Sequence, residues 1–304
     1  LAVSKQLTDS IIGISCYSHN LIYEKLNSVI YGHQSIKSAI DIACYDLASK
    51  SKKLPLYNYL GGKINKKIYT DYTVSLNDVD KMVEQAEQIV KKGFKIIKVK
   101  LGDNGKEDIE RIKHIRKCIG DDKQIRIDAN QGWNIEEAIY TLKNIDKYNI
   151  EYCEEPINRD LSFRLNEVKE SSPIKIMADE SLFTSYDAEM MVHGNHCDMF
   201  NLKIGKHGGL FETKKIVSIA EENNIPMQVG GFIESKIIFT VNCHLGHTSN
   251  LIKFFDCDSP LFHELNPIVG GLEYKNDWEL SLPNTNGIGV DIEEDFLKNS
   301  TKII

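Results

Sequence analysis

The chain has 304 residues, of which 41% are hydrophobic, and this is enough for one large α/β domain with a small appendage. Its net charge of −7 and its dispersed lysines argue against a nucleic-acid partner, and no apolar run approaches the roughly 18 residues of a membrane span. Seven scattered cysteines without a CxxC pair indicate buried thiols in a reducing cytoplasm and argue against disulfides or a zinc site.

The first part of the chain is predicted to be helical. Residues 1–29 and 35–50 carry apolar side chains at helical spacing, and a short helical turn at 56–60 ends at two glycines. None of these residues carries obvious chemistry. Because the first residue is not methionine and no domain start is visible, we expect that an upstream segment has been left off.

From residue 68 the pattern alternates between strands and helices, and this alternation is typical of a βα repeat. Helices are predicted near residues 77–92, 105–119, 134–147, 160–171, 184–193, 207–224 and 234–246. The eight predicted strands lie near residues 68–74, 95–100, 125–129, 150–154, 174–178, 198–203, 226–229 and 251–255. After Pro260 the repeat is lost, and the tail contains a predicted hairpin at 272–282.

Charged residues end five of these strands in succession. Lys100, Asp128, Glu154, Asp179 and Lys203 are separated by 28, 26, 25 and 24 residues, which is about one strand, one helix and two loops. In a parallel βα barrel the carboxyl ends of all strands form one rim, so these side chains should share one pocket. Three carboxylates suit Mg²⁺, and a lysine on either side supplies an acid/base pair. The pattern predicts metal-assisted proton transfer.

Each of these residues also has a simpler interpretation. Lys98 and Lys100 lie on one face of their strand, as lysines that protect a solvated edge strand would. A barrel has no edge, so the pair is predicted to point into its mouth, where repulsion lowers the pKa of one ammonium group. Any single carboxylate of the three is equally consistent with a helix N-cap. Their recurrence at consecutive strands favours a shared site.

Two aspartates follow the last predicted strand. Asp256 and Asp258 are separated from the three carboxylates, and such a pair suits the ammonium group of a substrate. Asp258 is equally typical of a helix start, because Pro260 follows it closely.

Other polar residues beside the strand ends are predicted to have supporting roles. Asn130 follows the Asp128 strand, and Glu155 and Glu180 point away from their acidic neighbours. Lys206 lies in a glycine-rich loop and is predicted to be a surface or loop-orienting residue.

Together these motifs resemble the enolase superfamily and, within it, the muconate-lactonizing-enzyme subgroup. The resemblance covers nearly the whole chain, including residues 39–46 and 55–62 before the barrel. One motif alone is unspecific, whereas the set is highly specific. The matching motifs are Lys98-Val-Lys100, Arg126-Ile-Asp128-Ala-Asn130-Gln-Gly-Trp133, Glu154-Glu-Pro156, Ala178-Asp179-Glu180-Ser181 and Asn201-Leu-Lys203, followed by Lys206-His-Gly-Gly209.

The resemblance implies a (β/α)7β modified TIM barrel at residues 65–260. Residues 1–64 would be the remainder of an α+β capping domain whose N-terminal part is missing, and residues 261–304 would pack back on it. The implied Mg²⁺ ligands are Asp128, Glu154 and Asp179. The implied chemistry is removal of a proton α to a carboxylate to form an enediolate. Lys100 and Lys203 would act on opposite faces of the substrate, and Lys98 would tune Lys100.

Within the subgroup, Asp256-Cys-Asp258 is similar to the Asp-x-Asp motif with which dipeptide epimerases bind the free α-ammonium of a dipeptide. The resemblance therefore implies an epimerase of dipeptides, of the Ala-Glu type, and we also expect a homo-oligomer. The alternatives within the subgroup are an N-acylamino acid racemase, an o-succinylbenzoate synthase and a cycloisomerase. A binding barrel without turnover is a further alternative, and the intact set of three carboxylates and two lysines argues against it.

Overall fold

Thirteen strands and thirteen α-helices occupy residues 2–301, which are the residues that the computed structural model describes. The strands are β1 (Ile68–Tyr69), β2 (Tyr72–Val74), β3 (Ile96–Lys100), β4 (Gln124–Asp128), β5 (Ile150–Glu154), β6 (Ile176–Ala178), β7 (Met199–Leu202), β8 (Met227–Val229), β9 (Ile252–Phe255), β10 (Ile268–Gly270), β11 (Glu273–Tyr274), β12 (Glu279–Ser281) and β13 (Val290–Ile292). The helices are α1 (Ala2–Ile11), α2 (His19–Val29), α3 (Gln34–Ser51), α4 (Leu56–Tyr59), α5 (Val79–Lys91), α6 (Gly105–Ile119), α7 (Ile135–Ile145), α8 (Leu165–Ser171), α9 (Ser185–His193), α10 (Ile204–His207), α11 (Leu210–Glu222), α12 (Lys236–Gly246) and α13 (Glu294–Lys298). The predicted domain limits at residue 1 and at residues 302–304 lie outside the described residues.

Strands β2 to β9 form one parallel sheet in chain order. A helix follows each strand from β2 to β8, as right-handed βα connections require. The two ends of the sheet meet where the backbone N–H of Asp71, just before β2, donates to the carbonyl of Phe255 in β9 at 3.3 Å. This arrangement confirms the predicted (β/α)7β barrel.

Polar caps fix where several barrel helices begin. The side chain of Asn134 accepts from the backbone N–H of Glu137 at the start of α7. Asn104 caps α6 in the same way, and Thr184 forms a reciprocal capping box with Asp187 at α9. Each cap stabilises its helix by about 1 kcal/mol, and it also ends the preceding loop at a defined position on the rim.

Side chains alternate between the helices and the barrel interior. In β3, Ile97 and Val99 are fully buried in the apolar core that the strands share with the helices. Lys98 and Lys100 therefore point into the barrel, since neighbouring residues of a strand face opposite sides. Below them, a separate apolar cluster is formed by Tyr152, Met177, Met199 and Phe254. The buried cation Arg126 packs on the rings of Tyr152 and Phe254 in this layer, and the lysines and carboxylates lie nearer the rim.

The prediction of one strand at 68–74 is wrong, because this stretch forms two strands. Ile68 in β1 pairs with Leu280 in the antiparallel β12, whereas Tyr72 in β2 pairs with Ile97 in the barrel. Between them, the backbone N–H of Thr70 donates to Trp278. Strand β12 also pairs with β11, which confirms the predicted hairpin of the tail. Ile68 and Tyr69 therefore belong to a different sheet from β2, because they pair with β12, which is distant in the chain.

The N-terminal helices dock on the barrel and on the tail. The predicted helix at 1–29 is two helices, α1 and α2, which share a small core with Leu7, Ile22 and Leu26 fully buried. Asp41 in α3 accepts from the backbone N–H of Leu210 at 2.6 Å, where α11 begins. The tail reaches the same helices, because Leu56 donates to Gly287 at 2.8 Å and Ile288 donates to Asp46 at 2.8 Å. The division at residues 64 and 260 stays a prediction.

Two further expectations concern the chain as a whole. All seven cysteines are free thiols, and Cys153, Cys197, Cys243 and Cys257 are buried. Among residues 2–301, no helix is both long enough and apolar enough to cross a membrane.

Candidate active site

The register of the barrel places the predicted strand-end residues side by side. Lys100 in β3 pairs with Asp128 in β4, and Asp128 pairs with Glu154 in β5. Asp179 follows β6 directly, and Lys203 follows β7 directly. All five side chains therefore stand at the carboxyl rim, where enzymes with this barrel have their active sites.

Lys98 lies at the centre of this group and is 1% exposed. Its ammonium group donates to Asp256 at 2.7 Å and to Glu154 at 2.8 Å, and it lies 3.2 Å from Asp128. Although burial opposes its charge, the three carboxylates raise the pKa of Lys98 well above its usual range. Lys98 is thus a fixed cation that neutralises charge on β4, on β5 and directly after β9.

The two predicted acid/base lysines approach the rim from different sides. Lys100 donates to Asp128 at 2.6 Å and to Asn130 at 2.8 Å, and 30% of its side chain is exposed. Lys203 donates to Asp179 at 2.5 Å and is nearly buried. Strands β4, β5 and β6 separate the strands of the two lysines. The side chains at the ends of these three strands, Asp128, Glu154 and Asp179, therefore lie between the two lysines.

Lys206 is predicted to be a surface or loop-orienting residue, and the surface alternative is wrong. It is 2% exposed, and its ammonium group donates to Oδ1 and to the backbone carbonyl of Asp179, both at 2.6 Å. A third bond reaches the carbonyl of Asn201 at 3.1 Å. Burial lowers the pKa of Lys206, and Asp179 opposes this change. Lys206 lies in the short helix α10, which ends at Gly208 with a positive φ angle.

Glu154 is fully buried, and two side-chain amides bind it. Asn201 donates to its Oε1 at 2.7 Å, and Gln228 donates to its Oε2 at 3.4 Å. Burial and the neighbouring Asp128 raise its pKa to about 8. Neither amide was predicted as a site residue. The signal for Asn201 was present, because it shares a strand face with Lys203.

The donor set of Asp128, Glu154 and Asp179 fits a hard divalent cation such as Mg²⁺. Although burial favours their neutral forms, Lys100 and Lys98 lower the pKa of Asp128 to about 2, and Lys203 and Lys206 lower the pKa of Asp179. Asp128 and Asp179 are therefore ionised, and a cation bound beside Glu154 would favour its charged form as well. In residues 2–301 these three carboxylates are not all within 4.8 Å of one another, because lysine ammonium groups bridge them.

Residues next to the carboxylates connect the ends of neighbouring strands. Glu155 has a φ of 35°, a conformation that is unfavourable for a residue with a Cβ atom. In this conformation its carboxylate accepts from the backbone N–H groups of Asp179 at 2.6 Å and Ser181 at 3.2 Å. Asn130, with a φ of 42°, donates to Glu180 at 3.2 Å. These bonds hold the loops after β4, β5 and β6 together.

Asp256 and Asp258 lie on the other side of Lys98 and are nearly buried. Asp258 accepts from the backbone N–H of Thr73 at 2.7 Å, and it makes no side-chain cap to the following 3-10 helix. Burial and Asp256 raise its pKa to about 7. A third acid, Asp71, completes the one cluster within residues 2–301 whose carboxylate oxygens all lie within 4.8 Å. Sequence reasoning missed Asp71, which lies directly before β2.

A cavity of about 1080 Å³ opens above this charged floor. It joins the two lysines to the aspartate pair and has apolar side chains along its walls. Its lining includes Thr73, Leu76, Lys100, Asn130, Glu180, Lys203, Phe232, Ile233, Phe239, Asp256, Asp258 and Phe262. The ammonium group of Lys203 lies 5.2 Å from the centre of the Phe232 ring. Both lysines and both aspartates therefore line one cavity.

Comparison with known proteins matches the chain to two family models. Residues 81–296 match the enolase C-terminal domain-like family, and residues 1–61 match the N-terminal domain of mandelate racemase and muconate lactonizing enzyme. The second match covers the N-terminal helices that precede the barrel.

Three relatives illustrate the similarity. A D-Ala-D/L-Ala epimerase of Cytophaga hutchinsonii is 44% identical over 99% of this chain and 82% of its own length. The structure of the dipeptide epimerase from that organism, complexed with Mg and D-Ala-L-Val, has a TM-score of 0.96 over 98% of this chain and 81% of its own. The L-Ala-D/L-Glu epimerase of Bacillus subtilis is 34% identical over 95% of this chain and 79% of its own length. The N-succinyl-L-Arg/Lys racemase of Bacillus cereus is 30% identical over 97% of this chain and 79% of its own length.

Proposed function

Because the chain belongs to the enolase superfamily, in the family of mandelate racemase and muconate lactonizing enzyme, we propose that it is a Mg²⁺-dependent dipeptide epimerase. One observation carries the proposal: Asp256 and Asp258 line the same cavity as Lys100 and Lys203. A dipeptide has a free ammonium group at one end and an acidic α-proton next to its carboxylate at the other. Its two ends therefore match the two charged parts of the cavity.

The two lysines are proposed to move the α-proton of the C-terminal residue. Each lysine lies on its own side of Asp128, Glu154 and Asp179, so each can act on one face of the α-carbon. One lysine removes the proton to form an enediolate, and the other returns a proton to the opposite face, which inverts the centre. Lys98, held by three carboxylates, keeps a positive charge close to Lys100 throughout.

Asp128, Glu154 and Asp179 are the proposed Mg²⁺ ligands, and the bound ion would supply positive charge next to the substrate carboxylate. Asn201 and Gln228 hold Glu154, and Lys206 holds Asp179. These contacts orient the carboxylates of Glu154 and Asp179. Asn130 and Glu180 are proposed to support Lys100 from the rim.

The main alternative is a racemase of N-acylated amino acids, and the relative from Bacillus cereus favours it. Asp256 is already paired with Lys98, so this aspartate has a role even without a substrate ammonium group. The same lysines and carboxylates would serve either reaction. The alternatives differ in whether the substrate needs a free α-ammonium group.

Proton NMR in D₂O tests the proposal directly. The protein with Mg²⁺ is incubated with Ala-Ala, Ala-Val and Ala-Glu, and with the N-acetylated amino acids that lack the free ammonium group of a dipeptide. Loss of the α-proton signal of the C-terminal residue, with appearance of the second diastereomer, supports a dipeptide epimerase. Exchange only in the N-acetylated compounds supports the racemase instead.

Two predictions about the setting of the protein accompany this function. Free, mostly buried thiols support a role in a reducing compartment such as the cytoplasm. Assembly into a homo-oligomer stays a prediction.

A further inference from the structure

The residue between the two aspartates of the proposed ammonium site is held from two sides. Cys257 is fully buried in the apolar core, whereas Asp256 and Asp258 on either side of it line the cavity. The backbone N–H of Cys257 donates to the hydroxyl of Thr70 at 2.9 Å, and its carbonyl accepts from the hydroxyl of Tyr274 at 2.7 Å. Side-chain hydroxyls therefore bind both backbone groups of Cys257.

These bonds lie just beyond the end of the barrel sheet. Strand β9 ends at Phe255, whose carbonyl accepts from the backbone N–H of Asp71 at 3.3 Å. On the other side, the backbone N–H of Asp256 donates to Val229 in β8 at 3.0 Å. At Cys257 the two hydroxyls take the place of a neighbouring strand. Because a buried backbone group without a partner is unfavourable, each hydroxyl favours one backbone conformation at this position.

Tyr274 reaches Cys257 from the tail of the chain. It lies in β11, which pairs with β12, and β12 also pairs with β1. Its ring packs edge-on against Trp278 with 6.3 Å between the ring centres, and Trp278 stacks on Phe94 at 3.9 Å. Burial raises the pKa of Tyr274 above its usual range, so the hydroxyl keeps the proton that it donates. Packing outside the barrel thus fixes this donor.

We propose that Tyr274 and Thr70 are positioning residues that hold the backbone of Cys257 so that Asp256 and Asp258 both face the ammonium group of a dipeptide. Their role rests on the proposed function, in which that pair binds the ammonium group. Within residues 2–301, neither Tyr274 nor Thr70 is among the residues that line the cavity, so both act through the aspartates. The tail of the chain thereby contributes to substrate binding at the barrel rim.

Two ligands that differ only in the ammonium group provide the test. Ala-Ala carries this group, and N-propionyl-alanine is the same molecule without it. Tyr274→Phe removes one hydroxyl and keeps the ring, so KM for Ala-Ala should rise by roughly threefold to tenfold while kcat stays within about twofold of the wild type. The inhibition constant of N-propionyl-alanine should not change, because this ligand does not need the aspartate pair.

Tyr69→Phe is the matched control for the tyrosine. Tyr69 lies in the same three-stranded sheet as Tyr274 but is 38% exposed, so its variant should keep the wild-type KM. At the other hydroxyl, Thr70→Val should raise KM for Ala-Ala, whereas Thr70→Ser keeps the hydroxyl and should retain the wild-type value. The two threonine variants decide the question even if Tyr274→Phe does not fold.

Three results would overturn the proposal. One is an unchanged KM for Ala-Ala in either Tyr274→Phe or Thr70→Val. Another is an equal rise in KM for Ala-Ala and in the inhibition constant of N-propionyl-alanine, because the whole cavity would then have changed. The third concerns the wild type alone: action on N-acetylated amino acids and on no dipeptide would refute the proposed function, and the positioning role with it. This last failure is visible before any variant is made.

Discussion

Lys206 donates to both the side chain and the backbone carbonyl of Asp179, and no solvent reaches the ammonium group that makes these bonds. Lys206 therefore holds Asp179, one of the proposed metal ligands, in position. Because Asp179 also receives a bond from Lys203, its two oxygens are held by two different lysines. The orientation of this carboxylate is therefore set by the loop after β7.

Replacing Lys206 should weaken binding of Mg²⁺. Lys206→Met keeps the apolar stem and removes the bonds to Asp179, and loss of such a supporting contact typically costs 10 to 100-fold, so we expect an affinity lower by roughly that factor. Lys214→Met, on the exposed surface of α11, is the matched control and should bind Mg²⁺ as the wild type does. Calorimetric titration with Mg²⁺ measures both. Equal affinities would mean that Asp179 is oriented without Lys206.

Removing either acid/base lysine should abolish epimerisation. Lys100→Ala and Lys203→Ala each remove the proposed proton carrier for one face of the α-carbon, so turnover should fall by on the order of 10²–10⁴-fold. One variant should still exchange the α-proton with solvent without inversion, because the other lysine remains. Proton NMR in D₂O separates exchange from inversion. Lys106→Ala, at an exposed position of α6, is the control, and wild-type turnover in both active-site variants would refute the assignment.

Loss of Asp256 should affect substrate affinity more than turnover. Asp256→Ala removes a carboxylate from the proposed ammonium site, so KM for a dipeptide should rise. The increase should correspond to a loss of roughly 1.5–3 kcal/mol in the free energy of substrate binding. The same variant deprives Lys98 of its 2.7 Å partner, but two other carboxylates remain beside it. Steady-state kinetics on wild type and variant give the comparison. An unchanged KM would leave Asp256 with only the structural role of pairing Lys98.

Asp41 should make the stability of the protein depend on pH. Burial raises its pKa from 3.8 to about 7, although the backbone N–H groups of Phe211 and Leu210 oppose the change. In the folded protein it therefore keeps a proton that the unfolded chain loses near pH 4. Its contribution to stability is complete below pH 4 and is lost as the pH rises to about 7, by on the order of 4 kcal/mol.

Urea unfolding between pH 4 and pH 8 checks the prediction for Asp41. Asp41→Asn cannot ionise and still accepts from Leu210, so its free energy of unfolding should fall less steeply over this range than that of the wild type. Asp9→Asn, at an exposed position of α1, should keep the wild-type slope. Parallel curves for the wild type and Asp41→Asn would show that Asp41 is already ionised at low pH.

Much of the barrel could be predicted from the sequence because its signals are local. Alternating side chains assign Lys98 and Lys100 to one face, and the nearly constant interval between strand ends places successive charges on one rim. The limits of β1 could not be predicted, because Ile68 pairs with Leu280, which is remote in the chain. An apolar residue such as Ile68 fits either sheet, and the strand that lies beside it in the folded protein determines which sheet it joins.

The sequence by itself determined the βα repeat, the barrel, and the set of lysines and carboxylates at its rim. The tertiary structure alone decided that Lys206 is buried against Asp179, that Lys98 pairs with Asp256, and that Asp71 lies beside Asp256 and Asp258. The physical reason is the range of the interactions. Side-chain direction and helix limits follow from neighbours along the chain, whereas burial and ion pairing depend on distances between strands that only the closed barrel sets.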